Sequence, residues 1–234
     1  MKYSIIMPYY DRIEQLRNTL ESFVRLYSDR DDFQVVIVLD NKLTVGMERQ
    51  YYSLTSEYNE HLQISTIWSS GQNVYNPATA FNEGADWASG EILILTSPEC
   101  QHEINILAGL DIEFEKTKDV YVVCACKALT HTGKMKMWYQ HSEHRNAQYH
   151  FCTALSAENY NKVGGFNEEY TSGYGYDDNS FRDRIKRAGI PFINRDDLLT
   201  IHQWHEKIRP ENWRELLKRN KLLYESEFRD VNCG

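Results

Sequence analysis

The chain opens with a short apolar run, Tyr3 to Met7, closed by Pro8. A run of this length ended by proline predicts a buried strand. Asp11-Arg12-Ile13-Glu14 follows with the layout of a capping box, Asp11 as N-cap and Glu14 as the reciprocal carboxylate, so a helix should start there. Ile13, Leu16, Leu20, Phe23 and Tyr27 recur at three- and four-residue steps, which buries one face of that helix. Phe33 to Leu39 is almost unbroken in its β-branched and apolar character and ends at Asp40, the pattern of a central strand covered on both faces. A polar helix over Met47 to Tyr58, a strand near Leu62 to Trp68, a helix through Trp87 capped by Asn76 with Pro77 at its first position, and a strand over Glu91 to Thr96 follow.

This alternation predicts a parallel, doubly wound α/β sheet whose ligands sit beyond the carboxyl ends of the strands, where Asp40 and the Thr96 to His102 segment fall. The second half is less regular. Strands are expected near Val120 to Cys126 and Tyr149 to Ala154, a helix from about Asp178 to Ala188 closed by Gly189, and an amphipathic helix near Asn212 to Tyr224. No repeat, low-complexity tract or linker interrupts the chain, so residues 1–234 are read as one domain.

Composition narrows the field. With 234 residues and 41% hydrophobic content the chain can bury a full α/β core. A formal charge of −8 argues against nucleic acid or an anionic membrane surface as partner. The N-terminal apolar run is too short for a secretory signal and no later run approaches the ~20 residues of a membrane span, so a cytoplasmic location is expected. Cys100, Cys124, Cys126, Cys152 and Cys233 lack metal-like spacing and read as reduced and structural, with Cys124 and Cys126 on one face of a strand.

Three segments, in order, carry a more specific signal: Ser4 to Arg12; Ala80-Phe81-Asn82-Glu83-Gly84 with Ala88-Ser89-Gly90-Glu91 and the strand behind it; and Val163-Gly164-Gly165-Phe166-Asn167-Glu168 with Gly173-Tyr174-Gly175-Tyr176-Asp177-Asp178. Together they resemble the family 2 glycosyltransferases and their galactosyltransferase-like relatives, over roughly residues 3 to 205. The resemblance implies a GT-A fold, the Rossmann-like α/β architecture of nucleotide-diphospho-sugar transferases with a mostly parallel central sheet. Residues 1–100 would then form the nucleotide-sugar half, 101–210 the acceptor and catalytic half, and 211–234 a C-terminal helix.

The resemblance also implies the chemistry. Transfer of a sugar from a nucleoside-diphosphate donor, a UDP-sugar first among them, to a glycan or other acceptor builds charge on the leaving diphosphate, which Mn²⁺ or Mg²⁺ neutralises. The family's Asp-x-Asp motif falls here on Ser97-Pro98-Glu99, so Ser97 replaces the first aspartate with a hydroxyl suited to ribose or water, and Glu99 keeps the charge expected to touch the metal. His102 would be a further ligand or a helix cap; His202, ahead of His205, resembles the late histidine that completes the metal site. Pro8, Tyr9 and Tyr10 match the nucleotide-contacting turn, Arg12 would reach a phosphate or pair with an acid, and Asp40 would contact base or ribose or serve only as a turn aspartate. Asp178 takes the place of the inverting base and Asp177 that of the acid before it; both residues would equally suit the first turn of a helix. Trp138, Tyr139, His141 and Tyr174 are expected at an acceptor or sugar lip, the alternative for the first three being aromatics that cover a sheet edge. Two other readings stay open: an inactive module that binds nucleotide or glycan, and a nucleotidyltransferase, whose glycine- and lysine-rich phosphate loop is replaced here by Pro8-Tyr9-Tyr10.

Overall fold

A computed structural model describes residues 1–71 and 76–229. Cys233 lies outside the described residues, and the other four cysteines are free and buried. The elements run β1 (Tyr3–Tyr9), α1 (Ile13–Tyr27), β2 (Phe33–Leu39), α2 (Val45–Tyr58), β3 (Ile64–Trp68), α3 (Ala78–Trp87), β4 (Ile92–Thr96), β5 (Cys100–His102), α4 (Ile106–Lys116), β6 (Tyr121–Leu129), β7 (Met135–Tyr139), β8 (Cys152–Ser156), α5 (Ala157–Lys162), a 3₁₀ turn (Glu168–Ser172), α6 (Asp177–Arg187), β9 (Phe192–His202) and α7 (Trp213–Glu227). None of the described helices is long and apolar enough to cross a membrane.

The strands form one sheet in the order β3-β2-β1-β4-β8-β6-β9-β5, with β7 added to β6. Pairing is parallel from β3 to β4, as the strand and helix alternation predicts. Antiparallel pairs enter with the second half, where β8 lies against both β4 and β6, and β5 lies against β9. Side-chain alternation gives the sheet two cores. Tyr3, Ile5 and Met7 of β1 pack with Leu16, Leu20 and Phe23 of α1. Ile6 and Leu93 turn the other way, into a cluster with Phe81, Phe166 and Phe181.

Two local expectations are corrected. Asp11 is not a cap: its φ of 46° takes the chain through a left-handed turn, and α1 starts after Arg12 without any side-chain cap. Pro77 is the N-cap of α3 rather than its first residue, and Asn76 Oδ1 accepts from Ala78 N at 3.1 Å.

Three contacts position the functional end of the sheet. A Cβ on Gly84 would stand 2.5 Å from Ile6 Cγ2, so α3 lies directly on β1 and its N-terminus reaches the strand ends. Cys100 pairs with His202, and Gln203 N donates to Glu99 O at 2.9 Å, which sets the Ser97-Pro98-Glu99 turn beside the segment after β9. The fully buried Asn220 of α7 donates through Nδ2 to the carbonyls of Tyr170 and Gly175 at 2.9 and 2.7 Å, so the C-terminal helix holds the loop ahead of α6.

Candidate active site

A cavity of about 320 Å³ opens beyond the carboxyl ends of β1 and β2, where an open α/β sheet places its ligands. Pro8, Tyr9, Tyr10, Arg12 and Asp40 line it from the strand ends, Asn76 and Thr79 from the start of α3, Pro98 and Glu99 from the turn after β4, and Tyr174, His205 and Lys207 from the second half. Eight residues expected at the site from sequence thus meet in one space.

Their roles within it differ. Tyr9 is a wall rather than a free hydroxyl: its ring packs 5.2 Å from that of Tyr51, and burial pushes its phenol up to about 12. Asp40 makes the turn its position suggested, its Oδ1 accepting from Lys42 N at 2.8 Å, while it also faces the cavity, where burial raises its carboxyl. Arg12 is pinned by three acceptors, Glu99 Oε1 at 3.0 Å, the Asp11 carbonyl at 2.7 Å and the Glu206 carbonyl at 3.2 Å. Its guanidinium ties the first turn, the Pro98-Glu99 turn and the segment after β9 together.

Glu99 therefore has a cation at one oxygen and a histidine within reach, His205 Nε2 standing 3.8 Å from Oε1. The His202 ring lies 5.3 Å from that of His205 and edge-on to Phe151, and burial lowers its pKa, so it is a neutral imidazole suited to a divalent cation. Glu99 and His205 line the cavity wall, whereas His202 stands behind His205 outside the lining, and the three do not gather their ligand atoms closely enough to form a metal group. Lys207, at the same wall, has its pKa lowered by burial and by Arg209 and Lys136, which gather positive charge at the mouth.

A second cluster stands at the start of α6. His150, Asp177 and Asp178 bring ligand atoms within 4.8 Å of one another, an arrangement able to hold a metal ion or share a proton. Asp177 is buried, and Asn76 Nδ2, from the cavity wall, donates to its Oδ1 at 3.0 Å. Burial and the neighbouring Asp178 carboxylate push Asp177 up to about 7. The acid pair thus sits one residue behind the wall instead of lining it.

Other expected residues lie elsewhere. His102 is wholly buried in the core, its Nδ1 against the Tyr27 hydroxyl and its ring 4.8 Å from Phe23, with burial driving its pKa to about 3; it is a core residue, neither a cap nor in reach of the cavity. The Ser97 hydroxyl faces the Cys100 thiol at 3.3 Å and is not part of the lining. Trp138 is enclosed by His141 at 4.3 Å, His144 at 4.9 Å and the Lys127 ammonium at 4.2 Å, and Tyr139 packs on Phe151 at 5.2 Å. These aromatics cover the sheet edge at β7, so of the expected lip only Tyr174 reaches the cavity.

His150, Lys207 and Asn220 are absent from the sequence reading. His150 fell inside a strand expected from Tyr149, but β8 begins at Cys152 and His150 stands in the turn before it. Asn220 sits in an amphipathic helix pattern where a polar residue reads as solvated, yet it is fully buried.

Comparison with known proteins gives the family and the fold. The sequence profile of glycosyl transferase family 2 matches residues 4–186. No curated protein sequence matches the chain. Among solved structures, a mannosyltransferase from Pyrobaculum calidifontis, PcManGT, in complex with GDP-Man and Mn²⁺, is similar with a TM-score of 0.67 at 17% identity, covering 97% of this chain and 63% of that one. A TarS fragment from S. aureus in complex with UDP-GlcNAc has a TM-score of 0.70 at 14% identity, covering 95% of this chain and 66% of that one. GalNAc-T7 with UDP, GalNAc and Mn²⁺ has a TM-score of 0.66 at 12% identity, covering 100% of this chain and 51% of that one. The chain spans less than two thirds of the length of these structures, and at such identities the likeness establishes the fold.

Proposed function

This chain belongs to glycosyl transferase family 2, and from that premise we propose that it moves a sugar from a nucleoside-diphosphate donor, a UDP-sugar first, to a glycan or other acceptor with inversion. The observation that carries this reading is the cavity at the ends of β1 and β2, in which Pro8, Tyr10, Arg12, Asp40, Glu99 and His205 converge while the acid pair stands behind Asn76 at its edge. The nucleoside lies against the Pro8 to Tyr10 turn and Asp40. The diphosphate faces Arg12 and Lys207.

Glu99 and His205, which face the cavity together, would hold a divalent cation, Mn²⁺ or Mg²⁺, which when bound supplies charge neutralisation to the leaving diphosphate. Asp178 accepts the proton of the acceptor hydroxyl as its oxygen bonds to the anomeric carbon. The carbon–oxygen bond to the diphosphate breaks, and the nucleoside diphosphate leaves with the electron pair.

Donor binding is tested by melting the protein with UDP-N-acetylglucosamine, UDP-galactose and GDP-mannose, with Mn²⁺ or with a chelator. A donor at ~100 times its dissociation constant adds about 2.7 kcal/mol, which for a chain of this length raises the melting temperature by roughly 5–10 °C. No shift with any nucleotide sugar contradicts the reading. One observation favours a second reading, a donor-binding module without turnover: Ser97 lacks the first carboxylate of the motif, and Arg12 already occupies an oxygen of Glu99. A melting shift without nucleotide release in the presence of acceptors would select it.

A further inference from the structure

His150 stands in the turn ahead of β8 with its ring edge-on to Phe81 at 4.6 Å and Phe166 at 5.2 Å. Those two rings stack on each other at 4.9 Å, and Phe166 stacks in turn on Phe181 of α6 at 4.1 Å. The imidazole is therefore wedged in an aromatic block that also carries the helix bearing the acid pair. Its Nδ1 lies 2.5 Å from Asp178 Oδ1. The two atoms face each other at salt-bridge distance without hydrogen-bond alignment, and neither has a hydrogen-bond partner among the described residues.

The two carboxylates of the pair have different holders. Asp177 is held by Asn76 from the cavity wall. Asp178 Oδ1 is shut off from solvent, yet the Asp178 side chain as a whole keeps 32% of its exposure, so that exposure belongs to its remaining atoms. One oxygen is committed to the imidazole while the rest of the group faces outward. Burial alone would lower the imidazole's affinity for a proton, and the Asp178 and Asp177 carboxylates more than reverse this, which supports an attractive contact.

We propose that His150 is a positioning residue for Asp178, fixing Oδ1 through Nδ1 and turning Oδ2 toward the acceptor hydroxyl. The inference rests on Asp178 being the base. A carboxylate at a helix start is free to rotate about its χ angles, and misplacement of a reacting group by about 1 Å can cost 10²-fold in rate. The aromatic block removes that freedom from the imidazole, and the imidazole removes it from the carboxylate.

The test compares His150→Asn with His150→Phe, each measured for release of UDP from UDP-N-acetylglucosamine or GDP from GDP-mannose, whichever raises the melting temperature, beside Asp178→Asn. Asparagine keeps an N–H near the place of Nδ1 but leaves the aromatic block underfilled; phenylalanine fills the block and has no nitrogen. Positioning predicts that His150→Phe loses about 10-fold or more in kcat with donor KM unchanged, and that His150→Asn retains kcat to within a few-fold of wild type. A packing role reverses that order and overturns the proposal. Normal kcat in His150→Phe with loss in Asp178→Asn removes His150 and keeps the base. Loss in His150→Phe with normal turnover in Asp178→Asn shows that His150 does not act through Asp178. Titration with Mn²⁺ alone closes the remaining alternative: a binding site lost in His150→Phe, with turnover restored by excess Mn²⁺, would make the cluster a metal site and overturn the proposal.

Discussion

Glu99 and the Asp177-Asp178 pair are both carboxylates beside histidines, but the fold compensates them differently. Glu99 faces a guanidinium, Arg12 Nε at 3.0 Å, with His205 3.8 Å away, on the wall of the cavity. Arg12 keeps its charge at any working pH, so this corner suits a lasting negative charge on Glu99. The acid pair faces an imidazole and a side-chain amide, with no guanidinium or ammonium among the named contacts, and Asp177 is buried there with its carboxyl pushed up to about 7. Under the function we propose, the first cluster holds charge and the second exchanges a proton, the division that metal-assisted departure and base-assisted attack require.

The largest effect is expected where the comparison is sharpest. Asp178→Asn removes the proton acceptor while keeping size and polarity, and turnover should fall about 10²-fold or more; steady-state release of the nucleoside diphosphate measures it. Glu99→Ala should act on the other arm, weakening donor affinity in Mn²⁺ by about 10-fold, the scale of a lost metal contact. Equal donor affinity in wild type and Glu99→Ala, with and without chelator, would break the division by removing the metal from the Glu99 corner.

Smaller effects fall on stability. Asn220→Ala removes the Asn220 donor from the Gly175 carbonyl and leaves that of Tyr170 with the Gly173 N–H alone, at about 1–3 kcal/mol for a lost buried hydrogen bond, so the melting temperature should drop by several degrees and kcat should fall with it as the Gly173 to Tyr176 loop loosens. Asp177 gives the most diagnostic shift. Its carboxyl rises from the ordinary 3.8 to about 7 on folding, so the folded state binds the proton more tightly than the unfolded chain. That contribution is fully present below about pH 4 and is lost as pH rises toward 7. Asp177→Asn should melt higher than wild type at pH 8, and the gap should close at pH 4. A gap independent of pH would show that Asp177 is not raised.

The nucleotide half was legible because its rules are local. Continuous apolar runs such as Phe33 to Leu39 and helix-period spacing such as Leu16, Leu20 and Phe23 identified β2 and α1 directly. A parallel sheet then places Asp40 and Glu99 at strand ends without further information. The site's second half depends on contacts distant in sequence. His102, three residues from Glu99, reads as a neighbouring ligand, yet the β5 strand carries it into the core against Tyr27. Trp138 and His141 read as a sugar lip, yet they stack with His144 and Lys127 because β7 is an added edge strand that needs its own cover. The pairing of His150 with Asp178 has no local signature, since it forms only when the turn before β8 meets the start of α6.

The division between a donor corner and a proton corner is tested most directly by isothermal titration of the selected nucleotide sugar, in Mn²⁺, into Asp178→Asn and Glu99→Ala side by side. The account predicts a dissociation constant for Asp178→Asn within a few-fold of wild type, in a protein that no longer turns over, and a weakened one for Glu99→Ala. Donor affinity lost in Asp178→Asn and kept in Glu99→Ala would contradict it, because the acid pair at the start of α6 would then be holding the donor.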